Sequence, residues 1–411
     1  MRVLILLPLG FPYGSAAASR VDKYARGLRE AGAEAYVVGA SFDGEPAPPG
    51  QWLRTPQGVP FRVARLVARP GTHRSLETYR QARPEFLDVL RNTLNWDAAI
   101  LYGQSAYLYG PILRMCRRRG TTALVECNEW FPFWGFAGGF FSPFFWDRYA
   151  FRRWCLRQAT GAIAISVFWE QYIRRLGLPV IRIPALGEDD VPAGDEAGRQ
   201  GSFDVCCLGA LYARDLPMTL LDSVRKAAQR GLPVRLVLIG DTAKYSYGRR
   251  ARAAAQADPV LRERVEFRGP VPQWEVPEKL APFKALVLIR PQNRETRACF
   301  PTRLPEYLHT GKPVILSAAG DVPLYFRHRV NAWLVPPGRQ PGPLAEAYEE
   351  LSRNAELARA IGKAGKETAR REFSYRRHGK ELLAFLNQLR SPEGAGAPRD
   401  PVAGAVPSAK S

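Results

Sequence analysis

The chain has 411 residues, 46% of them hydrophobic, enough for about two or three packed domains and against a disordered or fibrous class. Fifty-nine Lys and Arg against 39 Asp and Glu give a formal charge of +20, which favours anionic partners (nucleic acid, anionic lipid or phosphorylated ligands) without choosing among them. The six cysteines (Cys116, Cys127, Cys155, Cys206, Cys207 and Cys299) have neither CxxC spacing nor His partners, which argues against a zinc site or a disulfide framework.

The chain opens on RVLILLPL (2–9), a strand running into the Gly/Pro loop of LLPLGFPYGSAAASR; with no signal-peptide pattern, a cytoplasmic protein is expected. Gly10, Gly14 and Ser15 lie between this strand and its helix, where glycine lets the backbone approach a ligand closely. The loop lacks dinucleotide-fingerprint spacing and no acidic residue ends the second strand, which disfavours an NAD enzyme. The helix puts Val21, Tyr24, Ala25 and Leu28 on one face and stops at Gly32. Apolar runs at 34–40, 98–104, 122–128, 161–166 and 180–185 then alternate with amphipathic stretches, the pattern of one doubly wound parallel sheet.

Between the fourth and fifth of these strands lies NEWFPFWGFAGGFFSPFFWDRYAFRRWCLRQ (128–158), in which thirteen residues from Trp130 to Trp154 are aromatic. Its longest uncharged run, Trp130 to Trp146, is interrupted by Pro132, Gly135, Gly138, Gly139 and Pro143, which rules against a membrane span. Two readings stand. The segment packs the first domain, or residues 130–157 make a peripheral membrane contact, with rings among headgroups and Arg148, Arg152, Arg153 and Arg157 on lipid phosphates.

A polar, Gly-rich stretch (187–202) breaks the pattern, which restarts with strands at 204–210, 234–241, 265–271, 285–291, 313–319 and 331–337. The expected architecture is α/β: two Rossmann-like doubly wound domains, 1–186 and 203–370, facing a cleft beyond the carboxyl ends of their strands. From Gly342 to Leu389 the pattern is helical, and 391–411 is a Pro/Gly/Ala tail with nothing to bury, expected to be disordered.

The most informative stretch is RPQNRETRACFPTRLPEYLHTGKPVILSAAG (290–320). A helix is predicted to start near Thr302, with Pro305 in its first turn and Gly311 and Pro313 stopping it. Free N–H groups there can receive a diphosphate, Arg303 adds a cation, and Glu306, three residues on, can accept from ribose or sugar hydroxyls. By spacing alone, an Arg and a Glu three residues apart are more often a surface ion pair.

Here the sequence resembles the retaining glycosyltransferases of family 4 with the GT-B fold. PTRLPEYLHTGKPVI is similar to their P-S-K-L-x-E-Y-x-A-x-G-K-P-V-I, and the likeness extends to VEFRGPVPQWEVPEKLAPFKALVLI, GDVPLYFRHRVNAWLVPPG, CCLGALYARDLPMTLLDSV and IPALGED. The resemblance implies a nucleotide-sugar held mainly by the second domain and last helices (371–390) that cross back to the first. It also implies a retaining front-face displacement that needs no cofactor and no metal. It implies catalytic roles for Glu306, Arg303 and Asn128, the last standing in LVECNEWFP where the family has His; Asn128 and Glu129 read equally as turn caps. The donor-binding positions that the resemblance implies are Arg214, Gly209, Gly269, Thr302, Glu295 and Leu304.

The departures are specific. Ala298 replaces the first of the family's paired glutamates, with Glu295 three residues earlier as a substitute; Ala210 and Asp215 replace its diphosphate-binding Arg and Lys, with Arg214 beside the second; Leu324 replaces a Glu. The expected partners are a nucleotide-sugar donor and a glycan or lipid-linked acceptor in cell-envelope polysaccharide or glycolipid assembly. The alternatives are a non-catalytic scaffold of glycosyltransferase ancestry and a nucleotide-sugar 2-epimerase. Nucleic acid is not an expected partner, since no basic–aromatic motif of known geometry accompanies the charge.

Overall fold

The computed structural model describes residues 1–41, 51–67, 74–136, 138–188 and 201–391. Most of the predicted linker (189–200) and the tail from 392 onward lie outside the described residues.

The first sheet comprises β1 (Arg2–Leu6), β2 (Glu34–Ser41), β3 (Leu53–Arg54), β4 (Pro60–Arg65), β5 (Ala98–Tyr102), β6 (Thr122–Cys127), β7 (Gly161–Ala164) and β8 (Val180–Arg182). Their order is β3-β4-β2-β1-β5-β6-β7-β8, parallel except for the short β3, which runs against β4. In β1, Val3 through Leu6 are fully buried, since helices cover both faces of such a sheet and its central strands are apolar throughout. Strands β3 and β4 were not predicted. Pro60 opens β4 and Arg62 and Arg65 interrupt its apolar run, marks of a half-covered strand near a sheet edge.

The second sheet holds β9 (Phe203–Leu208), β10 (Val234–Ile239), β11 (Val265–Arg268), β12 (Ala285–Leu288), β13 (Val314–Ser317) and β14 (Trp333–Val335). All its pairings are parallel, in the order β11-β10-β9-β12-β13-β14. Each sheet reverses its winding once, between β1 and β5 and between β9 and β12. Ligands bind beyond the strand ends at such switch points.

The helix Ala16–Glu30 is capped by Ser15, whose hydroxyl accepts from Ala18 N at 3.1 Å, and it buries the predicted face of Val21, Tyr24, Ala25 and Leu28. The last helix, Tyr375–Arg390, lies directly on it. Gly27 and Gly379 meet backbone to backbone, a Cβ on Gly27 falling 3.0 Å from Gly379 Cα, so no larger residue fits at this crossing. Tyr375 donates to Glu30 at 2.7 Å and Arg390 pairs with Asp97 at 2.7 Å, fastening the chain end to the first domain.

Where the chain leaves the first sheet it is held tightly. Gly187 N donates to Phe373 O at 2.7 Å, and a Cβ at Gly187 would come within 2.8 Å of His309 Nε2. Glu188 takes both Nη atoms of Arg26, at 2.8 and 2.9 Å. His309 is buried with neither ring nitrogen hydrogen-bonded, and burial, with Lys366 and Arg370 nearby, pushes its pKa down to about 4. Asp321 closes the other side by accepting from Val167 N at 2.7 Å.

Candidate active site

The loops beyond the strand ends of both sheets enclose two adjoining cavities of about 520 and 670 Å³. Gly14, Ser15, Leu208, Lys244, Thr302 and Arg303 line both.

The junction is built around the last residue of β9. Leu208 N donates to the Tyr307 hydroxyl at 2.5 Å, and Leu208 O accepts from Arg303 Nη1 at 2.7 Å. Arg303 and Tyr307 stand four residues apart, one turn on the same side of the short helix Leu304–His309, so both can grip one strand end. A Cβ at Gly209 would lie 2.5 Å from Arg303 Nη1, so a larger residue there would displace the guanidinium. Gly240, after β10, is required, since a Cβ on it would overlap the Gly209 carbonyl.

Of the predicted site residues, Gly14, Ser15, Gly209, Thr302, Arg303 and Glu306 line the first cavity, and Asn128, Arg214, Gly14, Ser15, Thr302 and Arg303 the second. Four are placed otherwise. The Leu304 side chain is fully buried and its N–H is donated to Pro301 O at 3.1 Å, so it lines neither cavity. With Pro305 lacking an N–H, the free donors expected at this helix start are fewer than predicted. Gly10 and Gly269 lie beside the cavities; their neighbours Pro8, Leu9, Pro270 and Val271 form the walls. Glu295 lies off both walls and pairs with Arg214 at 3.2 Å.

In the second cavity Arg214 sits between Glu295 and, across the cleft, Glu129 at 3.8 Å, so it bridges the domains. The Glu129 side chain keeps 43% of its surface open, toward the cleft. Crowding by protein raises its carboxyl pKa, with Arg214 opposing and Glu295 adding to the rise. Asn128 hydrogen-bonds the buried Tyr102 hydroxyl, whose pKa burial holds above the usual phenol range. Among the described residues no histidine lines either cavity. Among the described residues no group of three or more His, Cys, Asp or Glu is placed to hold a metal ion.

Several wall residues escaped the sequence reading. Lys244 follows β10, and Tyr245 meets Tyr212 with hydroxyls 2.9 Å apart and ring centres 4.2 Å apart. Tyr13 and Trp274, from opposite domains, meet edge to face at 5.6 Å at the rim of the first cavity. The available signal was position: loops that follow a strand of a doubly wound sheet face the cleft.

Residues 15–186 match the family model of the glycosyl transferase 4-like domain, and residues 202–354 match that of glycosyl transferases group 1. The structure resembles sucrose-phosphate synthase from Thermosynechococcus elongatus (TM-score 0.70, 17% identity, covering 95% of this chain and 99% of that one). It also resembles Anabaena Alr3699/HepE in complex with UDP-glucose (0.65, 15%, covering 93% and 99%). A third likeness is to the lipopolysaccharide outer core galactosyltransferase WaaB (0.58, 14%, covering 95% and 99%). No curated protein matches the sequence. The two family models lie one on each sheet and together span most of the chain, and the fold is shared with these structures: the chain belongs to the glycosyltransferases of the GT-B type.

Proposed function

We propose that this glycosyltransferase is of the retaining, family 4 kind and moves a sugar from a nucleotide-diphosphate donor to a glycan or lipid-linked acceptor, in cell-envelope polysaccharide or glycolipid assembly. The observation that carries the reading is Arg303, fixed by Leu208 O at the junction of the two cavities, with Glu306 in the first and Asn128 in the second. Trp274 and the Pro270–Pro272 turn offer a flat apolar platform for a base, and Glu306 acceptors for ribose or sugar hydroxyls. Arg303 and Lys244 stand where a diphosphate would bridge the cavities, and their charge would stabilise it as it leaves. In a front-face displacement the acceptor oxygen bonds to the anomeric carbon as the carbon–phosphate oxygen bond breaks on the same face. The departing oxygen takes the acceptor's proton. No metal or cofactor enters this scheme. Complexes with UDP and UDP-glucose among the similar structures, and the galactosyltransferase WaaB, support the donor class and the envelope setting.

A panel of UDP-, GDP- and ADP-sugars tests it. At about a hundred times Kd the correct donor should add about 2.7 kcal/mol of stability, visible as a raised Tm. Product analysis should then find the donor's anomeric configuration kept. No stabilisation by any donor favours the non-catalytic scaffold, and an inverted product removes the retaining mechanism.

The aromatic segment supports an acceptor carried on a membrane. It divides in two. Phe151 is buried and Trp130 packs on Phe168, Trp169 and Tyr172, whereas Phe141 is 92% and Trp154 57% exposed, with Phe140, Trp146 and Tyr149 also open. Arg153 and Arg157 are exposed beside Trp154, and Arg114 lies next to Cys155 across Gly110. Exposed rings flanked by arginines suit an anionic lipid interface. No helix among the described residues is long and apolar enough to cross a membrane. The protein should float with phosphatidylglycerol vesicles, and Phe140→Ser, Phe141→Ser and Trp154→Ser together should release it; flotation that survives all three changes would rule out this surface.

A further inference from the structure

The second cavity carries cations that the first does not. Its lining includes Arg148, Arg152, Arg214, Lys244, Arg290 and Arg303 against two carboxylates, Glu129 and Asp215. Lys244 and Arg303 also line the first cavity, and Arg214 is paired with Glu129 and Glu295. Arg148, Arg152 and Arg290 line the second cavity and not the first.

Arg152 is the most telling of these. It is only 6% exposed, yet among the described residues no hydrogen bond or ion pair reaches it. Its charge rests on the Trp130 ring at 4.3 Å, and that ring already carries Arg294 at 4.2 Å, so the contact adds a second cation rather than a counter-charge. A buried guanidinium without an anion is costly. Accordingly burial, with Arg148 and Arg294 adding repulsion, pushes its pKa down to about 10. Arg290 faces the cavity from the second domain in a similar condition, its Nε buried without a partner and its Nη1 on the Cys299 thiol at 3.1 Å. Arg148 is steadied by the Tyr79 hydroxyl and stands 3.9 Å from Asp147.

The backbone explains how Arg152 comes to face inward. The helix Pro143–Ala150 widens into a π-helical turn, Phe151–Cys155, which alters the angular step between side chains. Phe151 enters the core and Arg152 the cavity wall. Such turns are frequent at functional sites.

We propose that Arg152, with Arg148 and Arg290, forms an anion site distinct from that of the donor diphosphate, and that it holds a phosphoryl group borne by the acceptor. The acceptor's part in this rests on the glycosyltransferase reading of the cleft. Phosphoryl oxygens would supply the charge-assisted acceptors that Arg152 and Arg290 lack, and a closer anion for Arg148 than Asp147 at 3.9 Å. The group is carried either by a soluble phosphorylated sugar or by a lipid headgroup.

Calorimetric titration of inorganic phosphate into protein saturated with UDP separates this site from the donor's. Binding should persist under UDP, and Arg152→Met should weaken it about tenfold or more while leaving UDP affinity unchanged. Arg290→Met should do the same from the opposite wall, which keeps the test intact if the first variant is poorly folded. Phosphate binding abolished by UDP, or unchanged in both variants, overturns the proposal. Should UDP itself fail to bind while phosphate binding still depends on Arg152, the donor reading falls and the anion site stands. Flotation on phosphatidylcholine vesicles with and without phosphatidic acid separates the sources. Phosphatidic-acid-dependent flotation lost in Arg152→Met marks a lipid headgroup; flotation equal in both proteins, with phosphate affinity lost, marks a soluble phosphate ester.

Discussion

Glu306→Gln is expected to lower kcat/KM by about 10²–10³-fold while leaving Tm within about 2 °C of the parent. Glu306 lies in the first turn of the Leu304–His309 helix, half-buried, and contributes its carboxylate to the first cavity beside Arg303. The change keeps the shape and removes the charge, so only hydrogen bonds that need a carboxylate are lost. Stability should hold because this helix is anchored by other groups. Tyr307 receives the Leu208 N–H, Arg303 donates to Leu208 O, and Leu304 and Leu308 fill the core. Initial rates and a calorimetric scan on one preparation check both halves. Full activity in the variant would remove Glu306 from the donor site, and a large fall in Tm would make it a structural residue.

Glu126→Leu is expected to destabilise the protein by about 3–5 kcal/mol, read by urea unfolding. The carboxylate is 0% exposed and faces Arg20, itself 3% exposed. Tyr24 OH donates to the same oxygen at 3.2 Å, and Arg20 also donates to Pro184 O and, at 2.7 Å, to Ile183 O. One guanidinium therefore ties the first helix, the end of β6 and the segment leaving the first sheet. Without Glu126 it becomes an unpaired buried charge beside the first cavity, where it also forms wall. Arg20→Met added to Glu126→Leu should recover much of the loss, since well-packed apolar residues replace buried ion pairs at little cost. A single variant within about 1 kcal/mol of the parent would show that the pair is not a structural tie.

Much of the architecture is legible without coordinates because it depends on local pattern. The twelve parallel strands read from apolar runs are present, each ending within a few residues of its expected limit. The face of the first helix follows from the spacing of Val21, Tyr24, Ala25 and Leu28. The helix after Thr302 stops where expected, with Gly311 at φ 70°. The strands β3 and β4 escaped because a short, half-covered strand near an edge needs neither a continuous apolar run nor strict alternation.

The site was legible by neighbourhood and less so by residue. Arg303 and Glu306 face the cleft, while Leu304 between them turns into the core, because successive helical residues point about 100° apart. Glu295 was expected among the donor contacts and is engaged by Arg214, a partner 81 residues away in sequence. Arg148 and Arg152 were expected on lipid phosphates beside Arg153 and Arg157 and instead line the second cavity, since the direction of Arg152 depends on a π-helical turn that side-chain spacing does not encode.

Two doubly wound sheets and the loop that carries the Arg–Glu pair are readable from residue order. Both follow from periodicity and turn chemistry, which act over a few residues. Packing is what brings Arg303 to Leu208, sets Arg214 between Glu129 and Glu295, and gathers Arg148, Arg152 and Arg290 around one cavity without enough carboxylates to neutralise them. Those arrangements arise from loops of separate strands brought together by packing, and Coulomb interactions depend on distance in space, not along the chain.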